Sequence, residues 1–379
     1  MRYETLFPRG IATEEAFCNR VSERKRLARN IKSGQHTLLM SPRRYGKTSL
    51  VNYVINEIGL PFGDSDLFVA IDANHIEQRI LSGIKMAMNG ACSSMQQVLQ
   101  ALRNYFKNHE TQWVIGTKGV NLVLMPSEKE HDPATTIMEA LMALEYLLKN
   151  RKKRAVIFLD EMQEIGEVAE GKGIEGALRH VAQQSKYLSF VFSGSSRHLL
   201  SHMFYDKERP LYKLCDRINL ERISEDDYTK HLLSLSKMRW KKPLGKTSLE
   251  KLFLLTERHP YYINNLCSRL WESENDKLPC PEDIEAKWLD FAKEERQEVA
   301  RELSTLSTGQ RKILSFIASG FNEKLSGKIF LQKVNMTSSS VIEALQILEQ
   351  KDYLEKDKSS YKIIDPLVKT TLNVYFKES

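Results

Sequence analysis

Short runs of consecutive apolar residues, each followed by helical spacing, organise the N-terminal half of the chain. Residues 37–40, 67–71, 154–159 and 188–193 form four such runs, and 217–220 a short fifth. Continuous apolar runs mark strands buried on both faces. Their alternation with helices predicts an α/β fold built on a parallel sheet. Before the first strand, Val21, Leu27, Ala28 and Ile31 recur among charges at helical spacing, and Ser33-Gly34 stops that helix. Residues 48–58 read as the helix after the first strand.

The connection 73–150 is too long for a simple loop and reads as a mostly helical elaboration. Within it, Trp113-Val114-Ile115 and residues 120–124 flank Gly116-Thr117-Lys118-Gly119, a hairpin pattern. From 224 to about 300 the pattern becomes all-helical and strongly charged. A polar break follows at 304–309, then three helices and two short strands around a turn at Asp357-Lys358-Ser359-Ser360. The expected division is a core with its N-terminal linker at 1–222, a helical domain at 223–303, and a small terminal domain at 304–379.

A chain of 379 residues fits two or three domains, and 41% apolar residues is a globular composition. The net charge of +7 permits an acidic partner without requiring one, since Lys and Arg are spread over most segments. The five cysteines, Cys18, Cys92, Cys215, Cys267 and Cys280, form no C-x-x-C pair, which fits free thiols in a reducing interior. The N-terminal residues lack the apolar run of a signal peptide, and no stretch reaches the roughly 20 apolar residues of a spanning helix. A soluble cytoplasmic protein without membrane contact is expected.

Chemistry concentrates in Ser41-Pro42-Arg43-Arg44-Tyr45-Gly46-Lys47-Thr48-Ser49, between the first strand and its helix. Backbone N–H groups converging at a helix N-terminus favour phosphate, and the helix dipole adds to the attraction. In this pattern Gly46 allows close backbone approach, Lys47 reaches the β/γ oxygens, and the Thr48 hydroxyl ligates Mg²⁺. Ser41 replaces the first glycine of G-x-x-x-x-G-K-[ST]; a positive φ there would cost on the order of 1 kcal/mol. Gly245-Lys246-Thr247-Ser248 repeats the lettering but follows Lys241-Lys242-Pro243, which cannot be a buried strand. It is expected to be a solvated turn and helix start.

The third strand ends in Asp160-Glu161. Ligands of open parallel sheets sit at such carboxyl ends, and carboxylates there must be solvated or meet a cation. Asp160 is the candidate Mg²⁺ residue, and Glu161 the candidate base that orients and deprotonates the attacking water. The next strand ends Phe192-Ser193-Gly194-Ser195-Ser196-Arg197, where Ser193 or Ser195 could sense the γ-phosphate or simply cap a helix. A transition-state arginine could be Arg197, Arg209 or Arg217; the sequence does not choose among them.

These blocks resemble prokaryotic ATPases of the AAA+ superfamily, near the archaeal-type ATPase and STAND branches. The resemblance extends to Phe17-Cys18-Asn19-Arg20-Val21-Ser22-Glu23, Pro210-Leu211-Tyr212, His259-Pro260-Tyr261-Tyr262-Ile263 and Asp365-Pro366-Leu367, in family order over nearly the whole chain. It implies a P-loop NTPase sheet of order 5-1-4-3-2, a helical lid and a C-terminal winged helix. It also implies Arg20 and Glu23 near an adenine, and Pro260 opening the lid helix that faces the nucleotide. Glu257-Arg258 stand where the family has glycines, and Lys213-Leu214 where it has Gly-Arg.

A winged helix reads DNA with its third helix, here 337–350, which offers Thr337 and three serines but also Glu343 and Glu349 and no arginine. Lys333, Lys351, Lys356, Lys358 and Lys362 are candidates for phosphate contact. The expected activity is ATP binding and hydrolysis by an AAA+-type switch acting on or with DNA, with a homo-oligomer possible. The alternative is a STAND-like regulator whose winged helix engages a protein effector.

Overall fold

The computed structural model describes residues 5–12, 16–68, 70–106, 113–118, 121–126, 132–168, 171–273 and 277–375. The chain forms two compact units. One comprises Arg20–Arg43 and Lys47–Leu220; the other comprises Met1–Asn19, Arg44–Gly46 and Glu221–Ser379.

The first unit is built on five parallel strands: β1 (Thr37–Met40), β2 (Phe62–Asp66), β5 (Ala155–Asp160), β6 (Leu188–Gly194) and β7 (Asp216–Asn219). Their spatial order is β2-β5-β6-β1-β7, which is 5-1-4-3-2 when the sheet strands alone are numbered along the chain. Every residue of β1, β5 and β6 is buried, so helices cover both faces of the central strands. In register, Met40 lies beside Gly194 and Asn219, and Asp66 beside Asp160. The carboxyl ends of the strands therefore finish along one edge, where the chemistry-bearing residues begin.

β2 departs from the sequence expectation, which placed this strand at 67–71. Phe68 and Ile71 are 53% and 78% exposed, Leu67 is buried just beyond the strand, and residue 69 lies outside the described residues. The paired segment is instead polar, Phe62-Gly63-Asp64-Ser65-Asp66. The cause is close packing: a Cβ on Gly63 would lie 2.2 Å from the Gly83 carbonyl oxygen. Helix Ala73–Ala91 thus rests on the strand backbone, which needs no apolar side chains there.

The long connection contains helices Ala73–Ala91, Met95–Phe106 and Pro133–Arg151 and an antiparallel hairpin, β3 (Trp113–Lys118) with β4 (Asn121–Pro126). The hairpin was expected, but Gly116, Thr117 and Lys118 belong to its first strand rather than to the turn; residues 119 and 120 lie outside the described residues. One apolar cluster joins the insertion to the sheet through Ile80, Ile84, Leu144, Ile157 and Phe190.

The second unit is helical, from Glu225–Trp240 through Lys246–Thr256, Pro260–Trp271, Pro281–Glu294 and Arg296–Ser304. It ends in helices Thr308–Ala318, Lys328–Val334 and Ser338–Gln350, the hairpin β8 (Leu354–Asp357) and β9 (Ser360–Ile363), and helix Pro366–Tyr375. Three helices followed by a hairpin are the winged-helix arrangement that the sequence implied. A single apolar cluster runs from Leu232, Tyr262, Trp271 and Trp288 into Ile313, Leu314, Val341 and Leu367. As expected, Gly245 is the N-cap of helix Lys246–Thr256, and the Lys246 side chain is 90% exposed. No helix among the described residues is long and apolar enough to cross a membrane.

Candidate nucleotide-binding site

The loop from Ser41 to Gly46 joins β1 to helix Lys47–Ile58. Ser41 is buried and does not adopt a positive φ; the left-handed residues are Arg44 at φ 64° and Gly46 at φ 86°. Serine at position 41 therefore carries no backbone cost, and the expected weakness of the motif does not arise. Nothing lies within 4 Å of a Cβ built on Gly46, so the glycine is needed for its backbone angle alone. Lys47 is 5% exposed, and its Nζ turns back to donate to the carbonyls of Ser41 at 3.4 Å and Pro42 at 3.5 Å. Ser49 is buried in the first turn of the helix.

The end of β5 meets this loop. Thr48 Oγ1 donates to Asp160 Oδ2 at 2.7 Å, and Ser193 Oγ donates to Asp160 Oδ1. Glu161 stands in the left-handed region at φ 53°, an uncommon conformation for a non-glycine residue that is retained where the surroundings enforce it. Those surroundings are explicit. Ser195 donates to Glu161 Oε2 from its backbone N at 3.1 Å and its hydroxyl at 2.7 Å, and Gln163 Nε2 donates at 2.5 Å. Burial on its own would raise the pKa of Glu161. The hydrogen bonds from Gln163 and Ser195 and the nearby Lys47 ammonium outweigh it and hold the carboxyl below its usual range. Arg43 Nε reaches Ser195 Oγ at 3.3 Å, tying the loop to the end of β6.

Gln163 was missed by sequence reasoning. Its signal was present, a buried amide two residues after the acidic pair in Asp160-Glu161-Met162-Gln163, but local spacing does not reveal that helix Gln163–Glu167 turns it back.

The remaining candidates are distributed more widely. Arg20 is a buried left-handed residue at the N-cap of helix Val21–Ser33, and its Nη1 pairs with Glu23 Oε1 at 3.2 Å. Pro260 is the first residue of helix Pro260–Trp271 and belongs to the other unit, as do Arg44 and Tyr45. Of the three arginines, Arg209 Nη2 pairs with the buried carboxylate of Glu175. Arg217 is exposed on β7 and bonds Asn219 Oδ1 through its Nε at 2.5 Å. Arg197 opens helix Arg197–Tyr205. Arg43 reaches the acidic pair by way of Ser195.

Magnesium fits the residues present. Thr48 Oγ1 and Asp160 Oδ2 are hard oxygen donors 2.7 Å apart, and Mg²⁺ takes one or two such protein oxygens together with substrate phosphates and water.

A parallel 5-1-4-3-2 sheet, a Gly-Lys-Thr loop after its central strand and an acidic end on a neighbouring strand define the fold of P-loop ATPases of the Walker type, here joined to a C-terminal winged helix. Residues 299–374 match the family model described as "Probable winged helix domain". Among solved structures, the Walker-type ATPase paby2304 of Pyrococcus abyssi is similar at a TM-score of 0.73 and 19% identity, covering 98% of this chain and 100% of that one. The ORC2 protein of Aeropyrum pernix, in ADPNP–ADP complexes, is similar at 0.53 and 15%, covering 98% of each chain. The ORC1 protein of the same organism, in complex with DNA, gives 0.50 and 13%, covering 98% of this chain and 96% of that one. No curated protein matches the chain. At these identities the likeness is one of fold.

Proposed function

We propose that this protein is an AAA+-type switch ATPase that binds ATP with Mg²⁺, hydrolyses it to ADP and phosphate, and acts on or with DNA through its winged helix. The observation that carries the reading is the hydrogen-bonded set Thr48–Asp160–Ser193 standing beside Lys47 and the Glu161–Ser195–Gln163 set. The loop at 41–46 and the N-terminus of helix Lys47–Ile58 offer backbone N–H groups to the phosphates, and Lys47 exchanges its long carbonyl bonds for phosphate oxygens. Thr48 and Asp160 would hold Mg²⁺, which neutralises charge on the β/γ phosphates when bound. Glu161, kept ionised and aimed by Ser195 and Gln163, orients the attacking water and accepts its proton. Ser193 and Ser195 touch the two carboxylates and, in this reading, register the γ-phosphate. Arg20 and Glu23 would contact the adenine in this reading.

We divide the chain into a core at 1–222, a lid at 223–303 and a winged helix at 304–379. Arg209, committed to Glu175, is assigned a structural role. Arg197 or Arg217, supplied by a second copy, is then the arginine that completes the site in a homo-oligomer.

One observation favours the second reading, a STAND-like regulator with a protein effector. The exposed face of helix Ser338–Gln350 presents Ser338, Ser339, Ser340, Ile342, Glu343 and Gln346, with no cation. Lys333, Lys351, Lys356, Lys358 and Lys362, all exposed, flank it along the chain and suit DNA phosphates better than bases.

ATPase assays with and without DNA over a salt series test both readings. Glu161→Gln is expected to bind ATP while turnover falls by about 10²–10⁴; normal turnover in that variant rejects Glu161 as base. Stimulation by DNA that falls steeply with salt supports the DNA reading, and salt-insensitive turnover indifferent to DNA supports the effector reading.

A further inference from the structure

Arg222 stands where three segments of the second unit converge. Its Nε donates to the Tyr45 hydroxyl at 3.2 Å, its Nη1 to the carbonyl of Glu257 at 2.7 Å and to Glu257 Oε2 at 2.8 Å, and its Nη2 to the carbonyl of Ile364 at 2.9 Å. One planar guanidinium thus joins the phosphate loop, the turn before helix Pro260–Trp271, and the residue that follows β9. The donors of a guanidinium are fixed in one fork, so shifting one partner misaligns the others.

The turn it holds is strained. Glu257 at φ 47° and Arg258 at φ 59° are consecutive left-handed residues, and neither is glycine. Lys369 Nζ adds a second restraint on Glu257 Oε1 at 2.7 Å. Next in the chain, His259 is buried edge-on against the Tyr45 ring at 4.7 Å between centroids, with no hydrogen-bond partner for its Nδ1 among the described residues. Beside it, the Arg44 guanidinium lies 4.2 Å from the centroid of the Tyr261 ring. A turn that relaxes when its restraints loosen is a two-state element.

We propose that Arg222 is the readout of the phosphate loop, transmitting nucleotide occupancy to the winged helix through the Glu257–Arg258 turn. Phosphate competes with the Tyr261 ring for Arg44, because a charge-assisted bond to an anion is stronger than a contact with a ring face. Tyr45 moves with its neighbour and leaves Arg222. The fork then loses its register on Glu257 and Ile364, and the turn relaxes. The Tyr262 hydroxyl, bonded to Asp365 Oδ2 at 2.5 Å, carries the change into helix Pro366–Tyr375, whose first turn that carboxylate caps through the backbone N of Leu367 and Val368. This inference rests on the nucleotide reading above and adds its regulation.

Amide hydrogen exchange on the full chain tests it, alongside calorimetric titration with ATP–Mg²⁺. With nucleotide bound, amides of 257–263 and 361–368 are expected to exchange about threefold faster or more. Glu257→Gln, which loses both ion pairs but lies outside the loop, is expected to show that fast exchange without nucleotide and to bind ATP within about twofold of the parent. Titration showing ATP bound while exchange in both segments stays unchanged overturns the readout and leaves the nucleotide site standing. Titration showing no ATP bound overturns the nucleotide site and the readout with it. A Glu257→Gln protein whose nucleotide-free exchange equals the parent's also overturns the readout.

Discussion

Lys47 is held by two long bonds to the carbonyls of its own loop, at 3.4 and 3.5 Å, and is nearly excluded from solvent. A buried ammonium gains when a phosphate arrives, because a charge-assisted bond to an anion is stronger than a bond to a neutral carbonyl. Lys47→Ala is therefore expected to raise the dissociation constant for ATP–Mg²⁺ at least about tenfold, roughly 1.4 kcal/mol, in a calorimetric titration. Unchanged affinity would remove the loop from the site. The same scale shows what could be read early. Gly46, Lys47 and Thr48 follow from one strand–loop–helix pattern, and Asp160 and Glu161 from the polar end of a separate apolar strand. Gln163 and the Arg43–Ser195 bond do not, because both depend on how the ends of β5 and β6 fold back.

Among the elements, the loop after helix Arg197–Tyr205 is fixed from below by helix Gly171–Gln184. Arg179 Nη1 donates to the carbonyls of Pro210 at 2.6 Å and Tyr212 at 2.9 Å, while Arg209 neutralises Glu175. Truncating one member of a buried pair leaves the other uncompensated. Arg209→Ala is therefore expected to destabilise the protein by about 3 kcal/mol, read as a lower Tm. Replacing both Arg209 and Glu175 with methionine should recover most of that loss. Loss of turnover by 10³ or more with an unchanged Tm would instead mark Arg209 as a transition-state arginine. At this scale the strands with apolar runs were legible. β2 was not, since a strand whose backbone touches a helix directly needs glycine and carries no hydrophobic signature.

Over the whole molecule, each unit has its own apolar cluster, and that of the second unit runs from its first helices into its winged helix. Two motif blocks far apart in the chain meet there, Tyr262 with Asp365, as do Trp288 Nε1 and Thr370 Oγ1 at 3.0 Å. His259 lies in this region with its pKa pushed down to about 3 by burial, with the Arg222 and Arg44 charges acting in the same direction. The folded state resists protonating it, whereas the unfolded chain takes up the proton near the ordinary imidazole value. Stability is thus unaffected above that value and falls as pH drops below it, by about 2 kcal/mol between pH 7.5 and 5. Urea unfolding of His259→Gln should show a shallower decline over this range. An identical slope would mean that the imidazole titrates freely in the folded protein.

The order of residue types indicated where the strands and helices lie, β2 excepted, which segment has the pattern of a phosphate loop, and which carboxylates end a buried strand. These are local matters: hydrophobic period, turn chemistry and helix termini act over a few residues. Tertiary structure alone decided that Ser41 needs no unusual backbone angle, that Arg209 is neutralised by Glu175, and that Arg222 gathers Tyr45, Glu257 and Ile364. Each of those depends on groups distant in the chain being enclosed together, where the loss of water makes every unmet charge or hydrogen bond costly.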